Sequence, residues 1–302
     1  MEGLIEELKK LNIKIEENVL LSNYTSYKVG GKARLIVYPS NEKALVETVK
    51  LINNANLKFK LLGNGTNLLF SSKDYNNVLI KLSSFNKIEV KGNKIYAEAG
   101  APLPRLAVLA KNASLTGLEF AAGIPGTLGG AIFQNAGAYK SDMGYVIQSV
   151  KVLTPDYRII NFTNKECEFH YRTSFFTTHP GYICLSAIIS LKYGSKNAIE
   201  SVMKDRLDRR LASQPLSYPS AGSVFRNPDN ADPAGKLIED LGLKGLKIGG
   251  AEVSTKHANF IINANNAKAE DIHKLILFVK DKVKKEYGID LKIEQEFVNW
   301  EN

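Results

Sequence analysis

Apolar residues recur along this chain with two periods, and the stretches that follow neither hold most of its chemistry. MEGLIEELKKLNIKIEEN places Leu4, Ile5, Leu8 and Leu11 at helical spacing among acids and lysines, an amphipathic helix pattern rather than a secretion signal. RLIVYP (34–39) reads as a strand, and Ser40 or Asn41 stands where a cap is needed for a helix with Leu45, Val49 and Ile52 on its apolar face. KFKLL (58–62) is the next strand, so the chain opens in βαβ fashion. Short strands follow at 77–82, 87–90 and 94–99, then a helix at 102–114. Beyond a glycine-rich interval lie strands at 149–155, 157–162 and 182–193. A helix from about Asn197 to Leu211 leads into SQPLSYPSAGSVFRNPDNADPAGK, a loop-rich stretch with four prolines. The tail alternates: helix 234–243, strand 258–263, helix 268–288, strand 289–297. This is an α+β mixture with a boundary near Tyr193–Asn197, not regular βαβ alternation.

Composition narrows the classes. The chain has 302 residues, 44% of them apolar, enough for one large domain or two to three small ones. No apolar run approaches the ~20 residues of a membrane span. The formal charge of +9 suits an anionic partner, but the lysines are scattered, without the basic arm or clustered aromatic face of a nucleic-acid binder. Cys167 and Cys184 have neither metal-ligand spacing nor disulfide density, so no metal is expected and a reduced cytoplasmic protein is.

The segments outside both periods carry the candidate chemistry. In LLGNGTNLLF (61–70) a strand runs into Gly63-Asn64-Gly65-Thr66-Asn67, a turn whose successive N–H groups suit an anion, or a plain hairpin loop. It lacks the third glycine and the following helix of a Rossmann fingerprint. GIPGTLGGAIFQNAGAY (123–139) holds five glycines and no acid, base or thiol. Gly126 to Ala131 reads as a turn into a helix start, where N–H groups favour a phosphate, and Gln134 and Asn135 carry amides that suit a flat heterocycle. SAGSVFRNP (220–228) puts Ser223 in a loop entering a strand, without the nucleophile-elbow spacing. HYRTSFF (170–176) sets Arg172 among aromatics, where it can stack or bind an anion. GLKGLKIGGAEVSTKHANFIIN (242–263) brings Lys244 and His257 beside glycines, and IEQEF (293–297) puts Glu294 and Glu296 on one face of a strand.

With NYTSYKVGGKAR (23–34), RRLASQPLSYPSAGSVFRNP and AGKLIEDLGLKGLKIGGAEVSTKHANFIIN, these stretches occur together and in order from about residue 22 to 296. The chain thereby resembles the UDP-N-acetylenolpyruvoylglucosamine reductases of peptidoglycan synthesis, in their shorter form, since no insert separates Phe176 from the 182–193 strand. The resemblance implies the non-Rossmann FAD-binding α+β fold of the vanillyl-alcohol-oxidase type, followed by a C-terminal α+β substrate domain. It divides the chain into 1–57 and 58–194, two FAD-binding subdomains, and 195–302, with a last strand near 289–298 returning to the first subdomain. FAD, held without a covalent bond, is implied at Leu62, Gly63, Asn64, Gly65, Thr66, Asn67, Gly123, Ile124, Pro125, Gly126, Thr127, Gly129, Gly130, Ala131, Asn135 and Gly137.

The implied reaction takes hydride from NADPH through FAD to C3 of UDP-N-acetylglucosamine-enolpyruvate, with a proton to C2. By position, Arg172 matches the arginine that meets the developing enolate, Glu296 the carboxyl group that assists, and Ser223 the proton donor. Arg210, Asn227, Lys244 and His257 match positions near the substrate. Ser213 and Val298 depart from the family, which commonly has lysine and arginine there. The resemblance also favours a monomer with small-molecule partners only, without nucleic acid or membrane insertion. A covalent histidyl flavin is disfavoured, because His170, His179, His257 and His273 all lie outside the flavin loops.

Overall fold

A computed structural model describes residues 1–300. The chain forms two compact units, each assembled from segments distant in sequence. The first comprises Met1–Glu16, Leu35–Gly63 and Asn77–Arg209; the second comprises Glu17–Arg34, Asn64–Asn76 and the chain from Arg210 onward. The expected divisions at 57 and 194 therefore differ from the compact units. At the second of these, the helix Lys196–Ser213 keeps Ile199 and Met203 in the first unit's core, which carries that unit past residue 195.

In the first unit, Leu35, Val37, Val78 and Ile80 form one core with Leu4, Leu8 and the Leu45–Val49–Ile52 face of the helix Glu42–Asn54. Asn41 caps that helix by accepting from the Ala44 N–H at 3.0 Å. Strand Phe59–Leu61 runs parallel to Tyr75–Ile80, which stands between it and Lys32–Tyr38 in the sheet. The second core surrounds a five-stranded antiparallel sheet in the order Ile159–Thr163, Ile147–Leu153, Ile183–Ser190, Lys94–Glu98, Ile88–Lys91. Its central strand is apolar almost throughout because it feeds both cores: Ile183 and Leu185 enter one, Ala187 and Ile189 the other. A bulge at Lys151/Val152 reverses the faces between them.

The opening helix is shorter than its pattern. It ends at Lys10, Asn12 turns at φ +53°, and Lys14–Leu20 is a strand. Leu11, counted on the apolar face, is exposed.

The second unit packs the helix Ala269–Tyr287 on the sheet Lys247–Ile248, Ala251–Val253, Ile261–Asn263. Its core includes Tyr27, Val29 and Leu69 together with C-terminal residues such as Phe225, Ile238 and Leu275. The expected tail strand shrinks to Glu296–Val298 and lies parallel to Leu68–Phe70, not beside any strand before residue 57. Upstream of it the backbone bonds to a loop instead: Arg226 N–H donates to Lys292 O and Glu294 N–H to Val224 O. Among the described residues no helix is long and apolar enough to cross a membrane.

Candidate active site

In the first unit the glycine-rich segment is pinned by its neighbours. Leu103 N–H donates to Gly126 O, Leu128 N–H to Ala101 O and Gly129 N–H to Ala99 O, at 2.9, 2.9 and 2.8 Å. Thr127 caps the six-residue helix Leu128–Phe133 by accepting from Gly130 N–H. The donors of that helix's first turn are thus taken by protein, which corrects the expectation of a helix start open to phosphate. The N–H groups of Gly123, Gly126 and Thr127, just upstream, find no protein acceptor among the described residues.

Asn135 is buried at φ +42°, and its amide is spent internally: Nδ2 donates to His170 O at 2.8 Å and Oδ1 accepts from Gly144 N–H at 2.9 Å. Both ends of its amide are thus engaged with backbone groups of the protein. Gly137 packs against Ser141 O, and its carbonyl accepts from Arg172 Nη2 at 2.9 Å. Arg172 sits at φ +56° in a tight turn closed by two backbone bonds between His170 and Thr173. Gln134 Oε1 is buried with no partner. Lys81, which the sequence did not single out, donates to Gly63 O at 2.6 Å; burial lowers its pKa.

In the second unit Asn64 to Asn67 form the other loop. None of their four N–H groups meets a protein acceptor among the described residues. Gly65 is at φ +63°, and a Cβ there would stand 2.1 Å from Tyr24 O, so only glycine fits. Ser26 donates to Gly65 O from both its N–H and its hydroxyl. Glu296 N–H donates to Asn67 O at 2.9 Å, and Asn67 Nδ2 to Glu294 O at 3.2 Å. Two residues earlier than Glu296, Glu294 bonds Val224 beside Ser223. Loop 64–67, Glu296 and Ser223 are thereby brought together along one stretch of chain. Tyr75 lies close enough to Glu296 to feel its charge; burial first, and that charge second, push its hydroxyl up to about 12.

Asn227, Lys244 and His257, expected beside the substrate, gather about the short helix Ala234–Asp240. Asn227 Oδ1 accepts from Ala234 N–H at its start, and Lys244 pairs with Glu239 at 2.6 Å. His257 Cε1 would lie 3.4 Å from a Cβ on Gly235. Burial and then the Lys244 charge lower the His257 pKa. Its Nδ1 accepts from Asn259 N–H at 3.2 Å, so the neutral ring carries its proton on Nε2 as a donor. Lys256 Nζ reaches Leu211 O at 2.5 Å, which ties the His257 loop to the helix end bearing Arg210 and Ser213. Val298 is buried in the Glu296–Val298 strand.

Residues 214–298 match the C-terminal domain of UDP-N-acetylenolpyruvoylglucosamine reductase, and residues 33–163 match an FAD binding domain. The UDP-N-acetylenolpyruvoylglucosamine reductase of Halalkalibacterium halodurans is 43% identical over 300 residues, covering 99% of each chain. The chain belongs to the UDP-N-acetylenolpyruvoylglucosamine reductase family. The Caldanaerobacter subterraneus subsp. tengcongensis reductase is 44% identical over 299 residues, 98% of each chain. The crystal structure of the Thermus caldophilus reductase superposes with a TM-score of 0.81 at 33% identity, covering 94% of this chain and 99% of that one. A berberine bridge enzyme variant, 14% identical with a TM-score of 0.50 over 64% of this chain and 44% of its own, shares the fold alone.

The residues present fit the FAD of this family. Four successive N–H groups at 64–67 without protein acceptors suit a diphosphate, which brings only acceptors. Separately, Gln134 Oε1 is a buried acceptor that suits an N–H on a flat ring. The sequence did not single out Tyr27 or Gln295: each reads as an ordinary core or strand residue, and what distinguishes them is the bond from the Tyr27 hydroxyl to Gln295 Oε1.

Proposed function

We propose that this protein reduces the enolpyruvyl ether of UDP-N-acetylglucosamine-enolpyruvate to UDP-N-acetylmuramate, in peptidoglycan precursor synthesis, with NADPH as reductant and FAD as cofactor. FAD, when bound, supplies a centre that can accept a hydride and pass it on. The observation that carries the reading is the bonding of residues 294–296 to both the 64–67 loop and the Ser223 segment. Hydride arriving at C3 leaves negative charge at C2 and its carboxylate. The Arg172 guanidinium, held by Gly137 O, supplies fixed positive charge for it. Ser223 Oγ donates the proton to C2, a transfer that a hydroxyl makes readily only to so basic a carbon, and Glu296 assists with its carboxyl group. Lys244, Arg210, Asn227 and the Nε2 donor of His257 meet the nucleotide diphosphate and sugar, and the net charge of +9 favours such ligands. On the same reading the enzyme is cytoplasmic and monomeric, and serves cell shape and division through the wall.

Stopped-flow traces of Ser223→Ala test this. Flavin reduction by NADPH stays near normal, while reoxidation by the enolpyruvyl substrate falls about 10²–10⁴-fold, the usual worth of general acid catalysis. An unchanged reoxidation rate would remove Ser223 from the chemistry.

A further inference from the structure

We propose that Gln295 and Tyr27 are positioning residues for the proton transfer, fixing the Ser223 segment against Glu296. The proposal rests on the roles given above to Ser223 and Glu296. Gln295 stands between Glu294 and Glu296, and its side chain is buried, 4% exposed. Its Nε2 donates to Ala221 O and to Gly222 O, each at 3.2 Å, the two carbonyls that lead into Ser223. Its Oε1 accepts from the Tyr27 hydroxyl at 3.0 Å. Carbonyls only accept, so the amide's NH₂ must face them and its oxygen must face Tyr27. Tyr27 is fully buried, and burial raises its hydroxyl pKa, so it remains a donor at working pH. Every bonding group in this cluster is thereby oriented.

The Ser223 segment needs such a hold. Gly222 is at φ +75°, yet nothing lies within 4 Å of where its Cβ would be. Glycine is there for its backbone angle and brings no side chain of its own to pack, so between the buried Ala221 and Val224 the chain at 222–223 relies on hydrogen bonds. These come from Gln295 on one side, and on the other from Val224, whose N–H donates to Asn259 O and whose carbonyl accepts from Glu294 N–H. Tyr27 is anchored in turn, because Asn263 Nδ2 donates to its carbonyl at 3.0 Å, and its neighbour Ser26 holds Gly65 O. One amide thus joins the proton donor's segment, the Glu296 strand and the segment that grips the 64–67 loop. A displacement of about 1 Å at a reacting group can cost about 10² in rate.

The test compares Gln295→Met, close in shape but without the bonds, with Tyr27→Phe, Ser223→Ala and the Gln295→Met/Ser223→Ala pair, all in the full flavin-loaded enzyme. Gln295→Met is expected to keep its flavin, its NADPH half-reaction and its KM, and to slow reoxidation by substrate about 10–100-fold. The pair is expected to be no slower than Ser223→Ala alone, because a donor already removed cannot be misplaced. Tyr27→Phe, the milder change should Gln295→Met not fold, is expected to slow the same step a few-fold and no other. In flavin-free protein, amide hydrogen exchange of residues 221–224 is expected to quicken in Gln295→Met while the helix Ala269–Tyr287 is unaffected. Multiplying losses in the pair, or normal reoxidation in both Gln295→Met and Tyr27→Phe, would overturn the positioning role. If Ser223→Ala slows reoxidation and these variants do not, the positioning role falls alone; if Ser223→Ala does not slow it, the assignment of Ser223 falls and takes this proposal with it.

Discussion

Arg172 holds a backbone conformation that L-residues avoid. At φ +56° it fills a place in the His170–Thr173 turn where glycine or asparagine is usual, and Asn135 Nδ2 fastens the turn through His170 O. Strain of this kind persists where surrounding bonds over-determine it, and it gathers at functional sites. Arg172→Gly and Arg172→Ala both remove the guanidinium and its bond to Gly137 O, but only alanine keeps a Cβ in the left-handed region. Glycine is therefore expected to be the more stable of the two by about 1 kcal/mol, the lower end of the left-handed penalty. Both are expected to slow reoxidation by substrate equally. Thermal denaturation and stopped-flow kinetics on the pair check this; equal melting temperatures would mean that the turn carries no strain. The arginine itself was legible from HYRTSFF. The turn and its dependence on Asn135 were not, because a left-handed arginine contradicts local propensity and is imposed by bonds from residues 135 and 137.

The loop glycines differ in how closely the protein crowds them. Gly65 and Gly137 are required by the protein, since a Cβ would fall 2.1 Å from Tyr24 O and 2.5 Å from Ser141 O. Gly129 is tight against Ala99, 3.0 Å from its Cβ and 3.2 Å from its carbonyl oxygen. Gly63 and Gly130 meet only Thr127 Oγ1, the first closely at 3.1 Å and the second at an ordinary 3.5 Å, and neither has a left-handed φ. If these two are glycine to let the cofactor approach the backbone, Gly63→Ala and Gly130→Ala are expected to purify with reduced flavin content. Their flavin-free forms are expected to melt within about 1 kcal/mol of the parent, since Gly63→Ala needs only a small shift of the Thr127 hydroxyl and alanine is a good helix former at Gly130. Absorbance at the flavin band against total protein measures the first, and denaturation of the stripped protein the second. Full flavin content in both would take these two positions out of the cofactor's path. The sequence marked both loops by their glycines but gave no means of sorting them, because the neighbours that decide each case come from residues 24, 99, 127 and 141.

At the scale of the whole chain, what was legible followed the range of the interactions. Most strands and helices up to residue 193 lie within a residue or two of their periodic patterns, because local alternation and caps decide them. The interleaving was not legible. Residues 17–34 and 64–76 join the C-terminal residues through bonds such as Trp300 Nε1 to Leu69 O and Asn263 Nδ2 to Tyr27 O, which span 231 and 236 positions. The tail strand was over-extended for the same reason: its run reads as one strand, yet its partner is a three-residue strand 228 positions away. A consequence concerns the family's C-terminal domain, matched at 214–298 as though it were a piece in itself. Its core contains Tyr27, Val29 and Leu69, and the strand Glu296–Val298 has Leu68–Phe70 as its partner. Burial of Val29 and Leu69 contributes about 1.5–3 kcal/mol each. With Tyr27 and the lost strand pairing, that is a large share of the roughly 5–15 kcal/mol by which a domain is stable. A fragment beginning at Arg210 is therefore expected to show no cooperative thermal transition and poor amide dispersion. Supplying 17–34 and 64–76 through short flexible linkers is expected to restore both. A sharp two-state melt from the fragment alone would show that the two N-terminal segments dock onto a core complete without them.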